Sequence, residues 1–456
     1  MRNEAITLKQ AAAWCGGSVA PQFEAVAFSG ANFDTRRLHR GELFVAITGA
    51  RDGHDYAKSA VESGAAAVLA SRPLDDHIPA IYAEDTLSAL QEIAKNYRRT
   101  LQTKVVGITG SVGKTTTKEM IAAVLQTTYE TQKTAENFNN GIGLPITVLG
   151  IDPTCEAAVL EMGMNHFGEI SLLTSIAQPD IAVITNVGRM HIENLGSEEG
   201  ILRAKLEILE GLKPNGTAIF CGDIPRLYDA AVSHHALTFG RKEQNDIRAV
   251  DVFIDSDGVR FTALAFGQEI PIRLSVQGEH NVLNALAAVA VGLKCGISAE
   301  RIAAGLADFK NTGMRQRCYD LGEIHIIEDC YNAGPESMRA ALKVLSGAKG
   351  RKVAVLGGML ELGDYAAKEH YEVGRESARI ADLLFAYGAN SEQYVLGAKA
   401  AGMTQAWCFE SHEALAEALK KALQPEDTLL VKGSRGMKME RVLRLLHTDD
   451  GRIHHG

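Results

Sequence analysis

Apolar residues in this chain fall into short continuous runs separated by stretches with helical period. Runs of about four to eight apolar residues bounded by turn formers read as strands, and a period near 3.6 reads as helix. Residues 42–47 and 65–70 are predicted strands, with a helical segment at 56–63 between them. A second series opens with the apolar run at 104–109 and continues through runs at 157–160, 181–184 and 217–221, with helical patterns between. A third repeats the alternation at 324–327, 353–356, 383–386 and 428–431, and Pro335 fits the first position of a helix over 335–345. Such alternation predicts βαβ units and mostly parallel sheets. Residues 246–274 differ. There Val250, Val252, Ile254, Val259, Phe261, Ile270 and Ile272 follow a period of two, which predicts an antiparallel excursion late in the middle series.

Three series in 456 residues agree with roughly 150 residues per domain. The breaks fall after residue 102 and after residue 312. Hydrophobic residues at 46 % and charged residues at 23 % are ordinary globular values. A net charge of -9 without a basic run argues against a nucleic-acid scaffold, though it leaves room for a local basic pocket. Seven cysteines, an odd count with no CxxC pair, argue against a disulfide framework or zinc site and for a reducing compartment. The charged N-terminus lacks a signal-peptide core, and no run approaches about 18 apolar residues. A cytoplasmic location without membrane insertion is expected.

The densest chemistry lies at residues 105–117, VVGITGSVGKTTT. An apolar strand enters a Gly-rich turn, and residues 115–125 read as a helix. Backbone N–H groups at a helix N-terminus point at an anion, with Lys114 for the β/γ-phosphates and Thr115 for Mg²⁺. Thr109, Gly110, Ser111, Val112, Gly113 and Thr116 complete the candidate nucleotide loop. It is the shorter GxxGKT variety, since Ile108 stands where the longer loop has its first glycine.

In parallel sheets ligands bind beyond the carboxyl ends of strands. The run at 157–160 ends in Glu161, either a Mg²⁺ ligand or an exposed loop acid. The run at 181–184 leads to Thr185, Asn186 and His191. On a helical wheel of residues 200–213, Lys205 falls at the centre of the face carrying Ile201, Leu202, Leu206, Ile208, Leu209 and Leu212. A buried lysine is costly unless paired, deprotonated or modified. Lys205 either snorkels to the helix edge or is a functional or modified amine facing a metal site.

Together these residues resemble the Mur ligase superfamily over nearly the whole chain. The resemblance implies an α/β fold of three domains: a small mixed α/β N-terminal domain (1–102), a central P-loop parallel-sheet ATPase domain (103–312) and a Rossmann-like C-terminal domain (313–456). Residues 32–69 are similar to the family's uridine-nucleotide-binding domain, with Thr35 and Arg36 at its Ser/Thr-Arg pair. Residues 134–149, TAENFNNGIGLPITVL, resemble its Asn-rich loop, in which Asn137, Asn139 and Asn140 face the substrate. Residues 161–170 and 186–208 also look like family segments. The lysine matching Lys205 is carbamylated there by CO₂, giving an anion that helps hold a second Mg²⁺ beside Glu161 and His191. Asn281 matches the residue contacting the base, Arg315 the one reaching phosphate or ribose, Asp329 a ribose contact and Tyr331 an adenine contact. Lys432, Ser434 and Arg435 are further substrate candidates. Glu328, Gly334 and Gly358 depart from the family's usual Asp, Asn and Asp.

The family implies ATP-dependent amide formation through an acyl phosphate, with ATP and two Mg²⁺ ions. Absence of a DNPR string disfavours the member adding the third amino acid. The Asn-rich loop, Tyr331-Asn332-Ala333 and Leu360-Glu361-Leu362-Gly363 favour the one adding D-alanyl-D-alanine to UDP-N-acetylmuramoyl-tripeptide, expected as a monomer. A P-loop kinase or NTPase, and a nucleotide-sensing regulator without turnover, are the rival classes.

Overall fold

The computed structural model describes residues 5–255, 258–310 and 313–447. Three larger sheets and one strand pair organise the described chain. The first block builds a five-stranded sheet whose central strands Leu43–Val45 and Ala67–Ala70 pair in parallel. The strand predicted at 42–47 is shorter than its apolar run because Ile47 donates back to the Val45 carbonyl and ends the pairing.

The central sheet has nine strands. Six of them, Thr131–Lys133, Ala157–Glu161, Lys104–Thr109, Ile181–Ile184, Thr217–Cys221 and Leu237–Gly240, lie side by side in parallel. The edge beyond them is the antiparallel set Ile247–Asp255, Gly258–Ala265 and Gln268–Leu274. These last strands alternate buried and exposed residues, as a sheet with one solvated face should. The strands at the sheet's centre are buried on both faces, which explains their unbroken apolar sequence.

The last block forms a six-stranded sheet in which Ile324–Asp329, Thr428–Lys432, Lys352–Gly357, Leu383–Tyr387 and Ala406–Phe409 are parallel, with Arg317–Leu321 antiparallel at one edge. Its core is separate, in two clusters on the two faces of the sheet. The first block and the central sheet instead share one continuous core running from Ile6 to Phe309. The helix Thr86–Thr100 welds them: Tyr97 donates to the Ile151 carbonyl at 2.7 Å, and the buried Arg98 donates to the Ala177 carbonyl at 2.8 Å.

The helix predicted over 200–213 is two elements. The α-helix Glu198–Leu206 passes into a 3₁₀ helix, Glu207–Gly211. The Glu207 carboxylate turns away to accept from the Gly168 and Ser171 amides, and the Gly211 backbone lies too close to Thr174 for a Cβ. No helix among the described residues is long and apolar enough to cross a membrane, and all seven cysteines are unpaired.

Candidate active site

The phosphate-loop strand Lys104–Thr109 lies between Ala157–Glu161 and Ile181–Ile184, and the chain changes side there. The three carboxyl ends therefore open onto a switch point. Gly110 sits at φ 158°, where a Cβ would stand 1.9 Å from Thr185 Oγ1. Gly113 is left-handed at φ 78°, with Asn284 Oδ1 only 2.8 Å from where a Cβ would be. Both positions need glycine for space as well as conformation.

The loop is clamped from the side. Val112 donates its N–H to Asn186 Oδ1 at 2.9 Å, and its carbonyl accepts from Asn186 Nδ2 at 2.8 Å and Thr185 Oγ1 at 2.9 Å. Ser111 Oγ accepts from the Gly188 amide at 2.9 Å. Lys114 folds its ammonium onto the loop, donating to the Gly110 carbonyl at 2.7 Å. Burial pulls its pKa below the ordinary lysine value, with Glu161 opposing and Arg315 adding to the shift.

Thr115 donates to Glu161 Oε2 at 2.8 Å, and Asn139 Nδ2 donates to Oε1 at 2.9 Å. Glu161 is therefore a buried carboxylate at the loop and not an exposed acid. Lys205 is 1 % exposed, with its side chain buried on the helix Glu198–Leu206. Desolvation holds its pKa well below the ordinary value, and the charge of Lys114 pushes the same way. The snorkelling alternative does not describe this side chain.

The loop, Asn139 and Glu161 border a cavity of about 1030 Å³ between the central sheet and the last block, and Lys205 is not among the residues that line it. Its walls include Ser111, Val112, Gly113, Lys114, Thr115, Thr116, Asn137, Asn139, Asn140, Glu161 and His191 from one side. Arg315, Asp329, Tyr331 and Lys432 come from the other. The Arg315 guanidinium lies 3.6 Å from the Tyr331 ring centroid, a cation stacked on an aromatic face. Lys432, almost fully buried, donates to Asp329 Oδ2 at 2.6 Å and to the Asn332 carbonyl at 2.9 Å. Two residues read for different ligands thus form one ion pair.

Several candidates do not reach the cavity. Thr109 is buried below the loop. Asn281 is 1 % exposed and donates to the Gln277 carbonyl, while its neighbours Asn284 and His280 line the wall. Ser434 is buried, donating to the Ala333 carbonyl and accepting from the Leu360 amide. Arg435 pairs with Glu440. Thr35 and Arg36 lie in the first block, where Arg36 is solvent-exposed and grips Asp34, holding that carboxyl down at about 2. A smaller cavity of about 280 Å³ opens nearby between the first block and the Asn-rich loop; Arg37 and His39 line it, not Thr35 or Arg36. Asn284, His280 and Arg37 carried no sequence signal beyond proximity to a motif, whereas Asn186 stood at the carboxyl end of a predicted strand.

Among the described residues no cluster of three or more His, Cys, Asp or Glu stands ready for a metal. The oxygens of Thr115 and Glu161, already in contact, are a sparse hard-donor set. Mg²⁺ suits such a set because it takes its remaining ligands from water and phosphate. The residues fit the ion.

The departures from the family pattern also have local reasons. A Cβ at Gly334 would meet Met190 Cγ at 2.7 Å, and one at Gly358 would meet the Ala389 carbonyl at 2.6 Å. Glu328 is nearly buried on the strand Ile324–Asp329, 3.9 Å from Arg317.

A phosphate loop, a buried carboxylate beside it and a second α/β block closing over both define a nucleotide-dependent enzyme with a cleft between two units. The Mur ligase middle domain matches residues 108–292, and the Mur ligase, glutamate ligase domain matches residues 314–435. The chain is 44 % identical over 450 residues to the UDP-N-acetylmuramoyl-tripeptide–D-alanyl-D-alanine ligase of Bacillus subtilis (strain 168), covering 96 % of this chain and 97 % of that one. A crystal structure of MurF from Acinetobacter baumannii is similar at TM-score 0.88 and 32 % identity, over 97 % of this chain and 99 % of that one. MurF ligase from Thermotoga maritima in complex with ADP is similar at TM-score 0.81 and 30 % identity, over 91 % and 96 %. The chain belongs to the Mur ligase family.

Proposed function

We propose that this chain is the ATP-dependent amide ligase that joins D-alanyl-D-alanine to UDP-N-acetylmuramoyl-tripeptide, giving the UDP-muramoyl-pentapeptide of peptidoglycan synthesis. The observation that carries the reading is one cavity walled by the phosphate loop, the Asn-rich loop and the Arg315–Tyr331 and Asp329–Lys432 pairs of the last block. The substrates are those in the names of its full-length relatives. The reading divides the chain into domains at 1–102, 103–312 and 313–456.

ATP would place its phosphates on the amides of residues 110–116, and the Lys114 ammonium would exchange the Gly110 carbonyl for the β/γ-oxygens. Tyr331, Asp329 and Arg315 would meet adenine, ribose and phosphate. The base contact read for Asn281 passes to Asn284 and His280. The terminal carboxylate of the tripeptide attacks the γ-phosphorus and ADP leaves, so that an acyl phosphate forms. The dipeptide amine then attacks the acyl carbon; the C–N bond forms, the C–O bond to phosphate breaks, and phosphate and a proton depart. Positioning and charge stabilisation supply most of the rate. Thr115 and Glu161 would hold one Mg²⁺, with His191 and Lys205 near a second, and such ions supply neutralisation of phosphate charge.

Lys205 would serve as the carbamate of CO₂. Its buried amine, held toward the neutral form by desolvation, supports this: a neutral amine adds to CO₂, and the resulting anion would turn a destabilising group into an oxygen donor. Replacing Lys205 by Ala should cripple turnover, with partial rescue by small carboxylic acids. Thr35 and Arg36 are proposed for the uridine nucleotide, Asn137, Asn139 and Asn140 for the tripeptide, and Lys432, Ser434 and Arg435 for further substrate contacts. A cytoplasmic monomer is the form inferred, the compartment because unpaired cysteines suit a reducing environment.

The test is phosphate release from ATP with Mg²⁺, leaving out each substrate in turn. Release that needs both tripeptide and dipeptide, with a UDP-linked pentapeptide by mass, is the expected result. Release indifferent to the dipeptide would move the chain to another member or to an NTPase.

A further inference from the structure

The segment 188–193 of the central block is gripped along its length by the last block. Arg189 pairs with Glu369, Met190 packs over Gly334, and Glu193 lies against Gly363. At its middle, His191 Nδ1 stands 2.5 Å from Glu361 Oε2. Nδ1 is buried and makes no hydrogen bond elsewhere among the described residues, so the Glu361 carboxylate is the acceptor that faces it.

Both residues hold the left-handed backbone conformation without being glycine: His191 at φ 62° and Glu361 at φ 63°. That region costs a side-chain-bearing residue energy and persists where the surroundings impose it. Here two such residues, one from each block, aim their side chains at each other. His191 lines the large cavity and Glu361 does not. The imidazole therefore stands between the cavity and the carboxylate. A histidine that ligates a metal commonly gives its other ring N–H to a carboxylate, which sets the tautomer and orientation.

We propose that Glu361 is a positioning residue that orients His191 for the metal at the phosphate loop, and that, because it comes from the last block, closure of the cleft completes the metal site. This rests on the reading of His191 as a metal-facing residue.

The experiment measures Mn²⁺ binding to the full chain by paramagnetic resonance, with β,γ-methylene ATP present. It compares wild type, Glu361→Ala, Glu361→Gln, His191→Ala and the double alanine variant, each checked for folding by thermal melting. The Mg²⁺ concentration for half-maximal rate is measured alongside. Glu361→Ala is expected to weaken Mn²⁺ binding about 10-fold or more, the scale of such outer contacts. The Mg²⁺ requirement should rise by a like factor, more than kcat falls. Glu361→Gln keeps an acceptor oxygen and should recover part of the loss; it also carries the test if the alanine variant does not fold. The double variant should lose no more than His191→Ala alone. Normal Mn²⁺ binding in the Glu361 variants with weak binding in His191→Ala overturns the proposal and leaves the His191 reading standing. Normal binding in every variant overturns both. Additive losses in the double variant place the action of Glu361 elsewhere and overturn the proposal.

Discussion

The carbonyl of Thr134 accepts a 2.6 Å hydrogen bond from the ammonium of Lys118, a lysine only 1 % exposed. The same ammonium is 3.2 Å from Glu119 and 4.0 Å from Glu161, and Thr134 Oγ1 accepts from the Glu161 amide at 2.9 Å. One cation thus ties the phosphate-loop helix to the start of the Asn-rich loop and to the carboxylate proposed for Mg²⁺. Lys118→Met keeps the stem and removes the donors, leaving a buried carbonyl unpaired at a cost of about 1–3 kcal/mol. The expected outcome is a melting temperature lower by a few degrees and kcat/KM lower by at least about ten-fold. An unchanged melt with wild-type kinetics would contradict the tie.

Lys114 is the cation nearest the loop's amides. Lys114→Ala is expected to reduce turnover by roughly 10²–10³-fold or more, the scale of losing one preorganised charge donor. Phosphate-release assays at saturating substrates check this, and a near-normal rate would remove the phosphate loop from the chemistry.

Gly358 replaces the family's usual Asp. Its Cβ position lies 2.6 Å from a backbone carbonyl, Ala389 O, and backbone cannot swing aside as a side chain can. Gly358→Asp, which restores the family residue, is therefore expected to destabilise the last block by about 1–3 kcal/mol. Denaturant titration followed in that block reads the loss; a stabilised variant would mean that the strand end shifts freely.

His370 is fully buried, with Nε2 accepting from the Met359 amide at 2.9 Å and Nδ1 donating to the Ala366 carbonyl at 2.6 Å. Burial lowers its pKa below the ordinary value of 6.5, the bond to Ala366 opposing. Below that value the unfolded chain binds a proton that the folded chain refuses. Stability therefore falls as pH drops through 6.5 and stops falling at the depressed folded value. Melts of wild type and His370→Gln at pH 7.5 and 5.5 should show a smaller acid loss in the variant. Equal losses would assign the acid sensitivity to other groups.

The parts of this site that could be read from sequence are those where function and local pattern share a short segment. The phosphate loop follows its strand directly, Glu161 ends an apolar run, and Lys205 interrupts an apolar helical face. What could not be read depends on pairing across distance. Asn281 and Asn284 lie one turn apart on the helix His280–Lys294, and only the packed structure shows that Asn284 meets Gly113. Arg36 and Arg37 are adjacent, and an Asp34 two residues away takes the first, while Glu136 takes the second. Glu361 meets His191 through a contact spanning two sheets. The break in the helix at Glu207 leaves no mark in the sequence because the apolar period continues through it.

The continuous core from Ile6 to Phe309 ties one face of the first block's sheet to the central sheet, and only a small cluster around Phe44, Ala60 and Val68 belongs to the first block alone. Heat or denaturant should dissolve it together with the central sheet in one cooperative event, leaving the last block, with its own two clusters, as the other melting unit. Three domains by sequence would thus behave as two bodies in a calorimeter.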